Sequence, residues 1–328
     1  MMKVFEANIT HQVLDYLHHN LKNVVSVAEA NQKMYEAFGF ITFFDNLDEL
    51  QTVKETVVQS IVKEQDRAEY GDFQTNITLA NQVVAHLSAK NVSPTIVIEP
   101  TCGKGNFIVA CLKQFTAIEK VFGIEIYKPY VWECKFNIIH FYLNNSLEKD
   151  VTRSLPEISI VHSSVFDFNF KNITRENPSK EILVIGNPPW VTNAKLGSLN
   201  SSNLPKKTNF KNHHGLDAMT GKGNFDIAEY ITLMMIECFQ HQQGSLALLV
   251  KNTVIKNIVF DQFTQKYAIT AIEKHCIDSK KEFNVSVEAS LFYCKMKAKP
   301  SFNCVEFDFY QNTNVKLTFG WLADKFVS

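Results

Sequence analysis

The spacing of hydrophobic residues changes near residue 94 of the chain. Before that point, apolar residues recur at steps of three and four positions, as in Val13, Leu14, Leu17 and Leu21 and in Val53, Val57, Ile61 and Val62. This spacing places the apolar side chains on one face of an amphipathic helix. Residues 1–65 are therefore predicted to form a helical N-terminal segment.

After residue 94, short runs rich in β-branched residues alternate with helical stretches. The predicted strands are residues 95–99, 121–126, 158–163, 182–185, 246–250, 271–277 and 289–294. Buried apolar strands that alternate with helices predict an α/β fold with a doubly wound, mostly parallel sheet, here of seven strands. In such sheets ligands bind beyond the carboxyl ends of the strands, so the residues that follow each strand are the candidate site.

The composition is that of a globular chain. Of 328 residues, 45% are hydrophobic, and 33 basic side chains nearly balance 34 acidic ones. These values exclude a disordered chain and a chain that is basic throughout. No apolar run reaches the roughly 18 residues of a membrane-spanning helix, and the N-terminus lacks a secretion signal. The seven cysteines are widely spaced without Cys-x-x-Cys, which predicts neither disulfides nor a metal site and favours a reducing cytoplasm.

The first chemical signal is a glycine-containing turn after the first predicted strand. This glycine turn comprises residues 99–107, with the sequence Glu-Pro-Thr-Cys-Gly-Lys-Gly-Asn-Phe. Gly103 and Gly105 let the backbone turn tightly, and the helix that follows offers free N–H groups to an anionic group. Glu125 ends the next strand, where a carboxylate can accept both hydroxyls of a ribose. A nicotinamide-binding fingerprint would need glycine at Ile108, and a phosphate-binding loop would need Ser or Thr at Gly105. A plain strand-to-helix turn is the alternative.

The second signal follows the fourth predicted strand, at residues Asn187-Pro188-Pro189-Trp190. The two prolines give a rigid backbone that has carbonyl acceptors but no N–H donors, and the Asn187 side chain adds another acceptor. Acceptors of this kind can hold both N–H groups of an exocyclic amine, while Trp190 offers a flat face on which a base can stack. The alternative is a proline-terminated strand with a tryptophan in the core.

Together the two motifs resemble the amino-methyltransferases that use S-adenosylmethionine, and among these the DNA adenine-N6 methyltransferases of restriction–modification systems. Residues 71–76, Gly-Asp-Phe-Gln-Thr-Asn, resemble the family's Gly-x-Phe-x-Thr-Pro segment, which contacts the methionine carboxylate, although Asn76 replaces the proline. The order of this segment, the glycine turn and the Asn-Pro-Pro-Trp motif is that of the gamma type. The resemblance implies a Rossmann-like methyltransferase fold.

The resemblance also implies the roles of individual residues. The amine of the target base would be held by Asn187, Pro188, Pro189 and Trp190. S-adenosylmethionine would be held by Phe73, Thr75, Glu99, Pro100, Gly103, Gly105, Phe107, Glu125, Ile126, Asp167 and Phe168. An aromatic residue between positions 283 and 292 would help to hold an extruded base. The methyltransferase domain would span residues 66–296. Residues 297–328 would be an extension with an extra strand at residues 304–310, too short for a target-recognition domain.

The interval from residue 191 to 224 has no apolar periodicity and carries five lysines: Lys195, Lys206, Lys207, Lys211 and Lys222. A long loop of this kind is usually functional or disordered. These lysines are predicted to contact the DNA phosphate backbone, which gives affinity without sequence information. Because the chain has only three arginines, which are the commonest readers of guanine, sequence recognition is expected from a longer C-terminus or from a separate specificity or restriction subunit.

The predicted reaction is methyl transfer from S-adenosylmethionine to the N6 amine of adenine in DNA, with the base flipped out of the duplex. Three alternatives stay open on the sequence alone. They are methylation of RNA adenine, methylation of a protein glutamine amide, and a non-catalytic subunit that keeps the fold.

Overall fold

The computed structural model describes residues 9–55, 74–145, 154–191, 226–311 and 314–327. Phe73 and the five loop lysines therefore lie outside the described residues. Within these ranges the chain separates into two compact units. The first unit contains described residues of 9–55, 74–163 and 180–186, and the second contains those of 164–179 and 187–327. The predicted domain boundaries at residues 65 and 296 stay predictions.

Three helices form the N-terminal part of the first unit: His11–Leu21 (α1), Val27–Phe38 (α2) and Leu47–Lys54 (α3). Each begins after a residue whose side-chain oxygen accepts a backbone N–H of the first turn, namely Thr10, Ser26 and Asn46. Such a cap pairs an N–H group that helix geometry leaves without a partner. On the predicted apolar face of α1, Val13, Leu17 and Leu21 are buried and Leu14 is half-buried. Val57, Ile61 and Val62 lie outside the described residues.

The described residues form ten β-strands. In chain order they are β1 (Ile96–Glu99), β2 (Lys120–Glu125), β3 (Glu157–His162), β4 (Ile182–Gly186), β5 (Gly244–Lys251), β6 (Ile269–Cys276), β7 (Ala289–Met296), β8 (Asn303–Asp308), β9 (Val315–Leu322) and β10 (Lys325–Val327). In the first unit the order is β4-β1-β2-β3, and all three pairings are parallel. In the second unit the order is β5-β7-β6-β8-β9-β10, and only the β6–β8 pair is parallel.

The α/β prediction is confirmed, but the predicted count of seven strands is wrong. All seven predicted strands are present, and β8, β9 and β10 extend the sheet beyond β6. β8 lies where the extra strand at residues 304–310 was expected. β9 and β10 were not expected, because most of their residues are exposed or half-buried and they lack the continuous apolar run of a strand buried on both faces. The description "mostly parallel" holds for the first unit, whereas the second unit is largely antiparallel.

The remaining helices are Ile77–Ala89 (α4), Asn106–Gln114 (α5), Lys128–Asn145 (α6), Phe170–Glu176 (α7), Ile227–Phe239 (α8), Asn252–Gln265 (α9) and Ser279–Phe283 (α10). None of the helices in the described ranges is long and apolar enough to span a membrane. The seven cysteines are free thiols, as their spacing predicted.

A buried lysine joins the N-terminal helices to α6. The Nζ of Lys135 donates to the carbonyl of Phe43 at 2.7 Å and lies 4.9 Å from the centre of the Trp132 ring. Only 1% of Lys135 is exposed, and this burial lowers the pKa of its ammonium to about 8. The hydrogen bond and the ring contact therefore offset only part of the cost of burying the charge.

We expect this lysine to make stability depend on pH. The ordinary lysine pKa is 10.5, so between pH 8 and pH 10.5 the unfolded state binds more protons than the folded state. The free energy of unfolding should rise across that window by about 3 kcal/mol at most. Denaturant unfolding of the wild type and of Lys135→Met at both ends of the window measures this rise.

The rise should be absent from Lys135→Met and present in a control, Lys22→Met, whose lysine is exposed. An equal rise in Lys135→Met would show that the ammonium of Lys135 is not the group that titrates.

Candidate functional site

The glycine turn adopts a backbone that other residues would strain. β1 is buried along its whole length and ends at Glu99, and α5 begins at Asn106. Between them Gly103 and Gly105 have φ angles of +49° and +77°. A Cβ at Gly103 would lie 2.5 Å from the Gln74 side chain, and a Cβ at Gly105 would lie 2.4 Å from a sulfur atom. Gly103 is therefore favoured by its backbone conformation, and Gly105 by both its conformation and the space around it.

Glu125 holds the turn in place. Its Oε2 accepts the backbone N–H of Gly103 at 2.8 Å, and its Oε1 accepts the backbone N–H of Tyr127 at 2.7 Å. Each carboxylate oxygen can accept more than one hydrogen bond, so these contacts leave capacity for a ligand hydroxyl. The predicted ribose acceptor is thus also the anchor of the turn.

Residues before α4 contact the same turn. Gln74 Oε1 accepts the backbone N–H of Lys104 at 3.2 Å, and the Thr75 carbonyl accepts the Asn106 side chain at 2.7 Å. The described part of the 71–76 segment therefore lies at the glycine turn, and its contact with the methionine carboxylate stays a prediction. Asn76, which stands in place of proline, caps α4 by accepting the N–H of Leu79.

Three buried oxygen atoms in this region have no hydrogen-bond partner among the described residues. They are Thr75 Oγ1, Glu99 Oε2 and Thr101 Oγ1. Burial, with smaller contributions from Cys134 and Glu125, raises the pKa of Glu99 well above its ordinary value. A buried polar atom left unpaired costs about 1–3 kcal/mol, so such atoms usually mark a ligand site or bound water. A cation that also donates hydrogen bonds would match this set of atoms.

The other predicted cofactor residues are divided between the two units. Pro100 and Phe107 are buried in the first unit, and Ile126 is half-buried after β2. Asp167 and Phe168 lie in the second unit, where the Asp167 side chain is exposed and Phe168 contacts Phe170 edge to face at 4.8 Å. The roles of all these residues stay predictions.

The Asn-Pro-Pro-Trp motif lies in the second unit, directly after the buried strand β4. The Oδ1 atom of Asn187 is buried. Trp190 is only 6% exposed; its Nε1 donates to the Leu249 carbonyl of β5 at 3.1 Å, and its ring meets Phe283 edge to face at 5.0 Å. Trp190 therefore packs in the core of this unit, and its predicted stacking on a base stays a prediction.

Phe283, at the end of α10, is the aromatic residue of the 283–292 segment that touches Trp190. The sequence could not select it, because Phe292 lies in the same segment. In the structure Phe292 is fully buried within β7, while Phe283 is 9% exposed. We therefore expect Phe283, rather than Phe292, to be the aromatic partner of a target base.

The two ends of the lysine-containing interval are held together. The Ile227 N–H donates to the Val191 carbonyl at 2.8 Å. Asp226 caps α8 by accepting the N–H of Ala228 at 2.9 Å and pairs with Lys251, at the end of β5, at 2.5 Å. Lys251 could not be singled out from the sequence, because its partner Asp226 is 25 residues away. Val191 and Ile227, on either side of the interval, thus lie close together.

The unpaired Glu99 oxygen makes stability depend on pH in the ligand-free protein. Because the folded pKa of Glu99 is raised, stability is lost as pH rises from 4.5 through the folded value. We expect Glu99→Gln to be more stable than the wild type at pH 8, with the difference shrinking towards pH 5. Thermal unfolding across this range measures the difference.

Glu36→Gln, which changes an exposed glutamate, is the control and should show no such trend. A Glu99→Gln variant that is less stable than the wild type at pH 8 would mean that the carboxylate has a partner in the ligand-free protein.

Comparison with known proteins gives one close relative over most of the chain. Type II methyltransferase M.NspV from Nostoc sp. is 41% identical over 232 residues, which make up 71% of this chain and 46% of that protein. The chain therefore spans about half the length of this curated relative. No family model matches the chain.

Two solved structures are similar in fold at low identity. The methyltransferase subunit of a type I restriction-modification system from Streptococcus thermophilus is 12% identical with a TM-score of 0.47, over 93% of this chain and 70% of that one. A protein from Listeria monocytogenes assigned to the class I S-adenosylmethionine-dependent methyltransferases is 14% identical with a TM-score of 0.47, over 90% and 91% of the two chains. The family is assigned on the relative from Nostoc and not on these structures.

The glycine turn and the Asn-Pro-Pro-Trp motif are the features that carried the resemblance, and the structure describes both, with Glu125 anchoring the turn. The Nostoc relative agrees with that resemblance over the greater part of the chain. The chain belongs to the S-adenosylmethionine-dependent methyltransferases of restriction–modification systems.

Proposed function

We propose that this chain transfers a methyl group from S-adenosylmethionine to the N6 amine of adenine in DNA. The observation that supports this most is the Asn-Pro-Pro-Trp sequence at the carboxyl end of the buried strand β4, with Trp190 fixed by Leu249 and Phe283. The relative from Nostoc, a Type II methyltransferase, supports the same class of reaction. Since the chain spans less than half of that protein, the complete activity and its partners are part of the proposal.

The first unit would hold the cofactor, whose sulfonium supplies an activated methyl group. Glu125 would accept the ribose hydroxyls, and Thr75 Oγ1 would donate to the methionine carboxylate. The unpaired Oε2 of Glu99 would accept from the methionine ammonium, which would remove the cost of leaving it buried without a partner. Asp167, which like its neighbour Phe168 belongs to the second unit, would accept from the adenine amine of the cofactor.

The second unit would hold the target amine. Asn187 Oδ1 and the Pro188 carbonyl would each accept one N–H of the amine, which directs the nitrogen lone pair towards the methyl group. Pro189 offers no competing donor. Catalysis would depend on positioning rather than on a strong base. The new N–C bond would form as the S–C bond to the methyl group breaks, leaving a neutral thioether, and the surplus proton would leave to water. Trp190 and Phe283 would limit where the base can sit.

DNA affinity would come from the five lysines between residues 192 and 225. These lysines can bind phosphates but carry little sequence information. Sequence-specific methylation would therefore need the rest of a longer protein or a partner subunit. The free thiols fit a reducing cytoplasm.

The test of this function is labelled methyl transfer to DNA, RNA and protein pools, followed by nucleoside and amino-acid analysis. Label in N6-methyladenine of DNA is the expected result. Label in RNA adenine or glutamine would assign the reaction to another substrate class. No label, with intact cofactor binding, would indicate a subunit that needs its partner or no longer catalyses.

Removing the Glu125 carboxylate should weaken cofactor binding. Glu125→Ala deletes the acceptor for the ribose and leaves the amides of Gly103 and Tyr127 without their partner. Hydrogen bonds to charged groups contribute roughly 1.5–3 kcal/mol each, so affinity should fall about tenfold or more. Calorimetric titration with S-adenosylmethionine measures this. Unchanged affinity in a folded Glu125→Ala variant would reject the assignment.

Removing the Asn187 amide should separate cofactor binding from chemistry. Asn187→Ala deletes an acceptor for the reacting amine and leaves the glycine turn intact, so cofactor affinity should stay within a few-fold of the wild type. Turnover on DNA should fall by about a hundredfold or more, the scale seen when a transition-state hydrogen bond is lost. A variant that keeps more than a tenth of the wild-type rate would show that Asn187 does not hold the amine.

A further inference from the structure

An ion pair fixes the lysine between the two glycines of the turn. Lys104 Nζ lies 2.7 Å from Glu133 Oε2 of α6, with 19% of the lysine side chain and 3% of the glutamate side chain exposed. The ammonium also lies 5.3 Å from the centre of the Tyr130 ring. Glu133 belongs to neither of the sequence motifs, so the resemblance gives it no role.

The ion pair belongs to an acidic cluster that contacts the glycine turn. Glu99 begins the turn, Glu125 binds the Gly103 amide, and Glu133 pairs with Lys104. All three carboxyl groups are buried, and the Glu99 and Glu133 side chains each have one oxygen without a described partner. Charge interactions at buried positions are screened less than at the surface, so the balance between these carboxylates and Lys104 should influence any ion bound here.

The methyl donor and its product differ in charge at one atom. Both carry the same ammonium, carboxylate, ribose and adenine groups, but the donor has a sulfonium cation where the product has a neutral thioether. An acidic environment therefore favours the donor, and an uncompensated lysine disfavours it. The ratio of the two affinities isolates this effect, because contributions from the shared groups cancel.

We propose that Glu133 is a specificity-determining residue that neutralises Lys104, so that the glycine turn prefers the cationic methyl donor over the neutral product. This inference rests on the proposed cofactor site. Its consequence is weaker product inhibition, because the product loses the one charge that the acidic cluster attracts.

The experiment compares donor preference, defined as the product Kd divided by the donor Kd, in variants of the full chain. S-adenosylmethionine and S-adenosylhomocysteine are titrated by calorimetry into the wild type, Glu133→Gln and Lys104→Met. Glu133→Gln should lower the donor preference about threefold, because the lysine charge is no longer balanced. Lys104→Met should raise the preference by a similar factor.

The matched control is Glu157→Gln, which breaks the partly exposed Lys120–Glu157 ion pair. Both residues lie at the N-terminal ends of their strands, β2 and β3, and the glycine turn lies at the carboxyl end of β1. Its donor preference should equal that of the wild type. Glu99→Gln is a second test that leaves the ion pair intact and is expected to be stable. The methionine ammonium that both ligands carry would favour the ionised form of Glu99, so this variant removes one negative charge from the cluster and should also lower the preference.

If Glu133 only clamps the turn, the affinities for both ligands will fall by the same factor. The donor preference of Glu133→Gln and Lys104→Met will then equal that of the wild type, which overturns the inference. If neither ligand binds the wild type, the proposed cofactor site itself fails.

Discussion

The contact between the Glu125 carboxylate and two backbone amides fixes the part of the structure on which the proposed chemistry depends. One amide belongs to Gly103 in the glycine turn and the other to Tyr127, just beyond β2. Charge-assisted hydrogen bonds of this kind are roughly twice as strong as neutral ones, and these two are largely shielded from water because Glu125 is 9% exposed. They join the end of β2 to the turn that follows β1, so the carboxyl ends of these adjacent parallel strands are held at a fixed distance from each other.

The same turn shows how a binding site can oppose stability. Buried oxygens of Thr75, Glu99 and Thr101 lack partners among the described residues, and the raised pKa of Glu99 reflects the cost of its burial. The hydrogen bonds from the Gly103 and Tyr127 amides to Glu125 hold the turn in this arrangement. The first unit thus holds acceptors in a fixed arrangement before any ligand arrives, which reduces the ordering that binding requires.

The sequence predicted those parts of the protein whose structure depends on residues close together in the chain. The seven strands from β1 to β7 and the tight turn at Gly103 and Gly105 followed from periodicity and turn chemistry. β8 lies where an extra strand was expected, whereas β9 and β10 were missed because most of their residues are exposed or half-buried, so no continuous apolar run marks them. The Lys104–Glu133 pair could not be predicted, because it joins residues 29 positions apart that only the packing of α6 on the turn brings together. The burial of Trp190 against Phe283 likewise depends on contacts between distant segments.

The most direct test of the central claim is calorimetric titration of S-adenosylmethionine into the wild type and Gly105→Ala. The claim is that the glycine turn, in this backbone conformation, is the cofactor-binding element. A methyl group at residue 105 would lie 2.4 Å from the sulfur of Cys134, so the turn would have to move. The account predicts one binding site in the wild type and a loss of affinity of about tenfold or more in a folded Gly105→Ala variant. Equal affinity in the two proteins would contradict it.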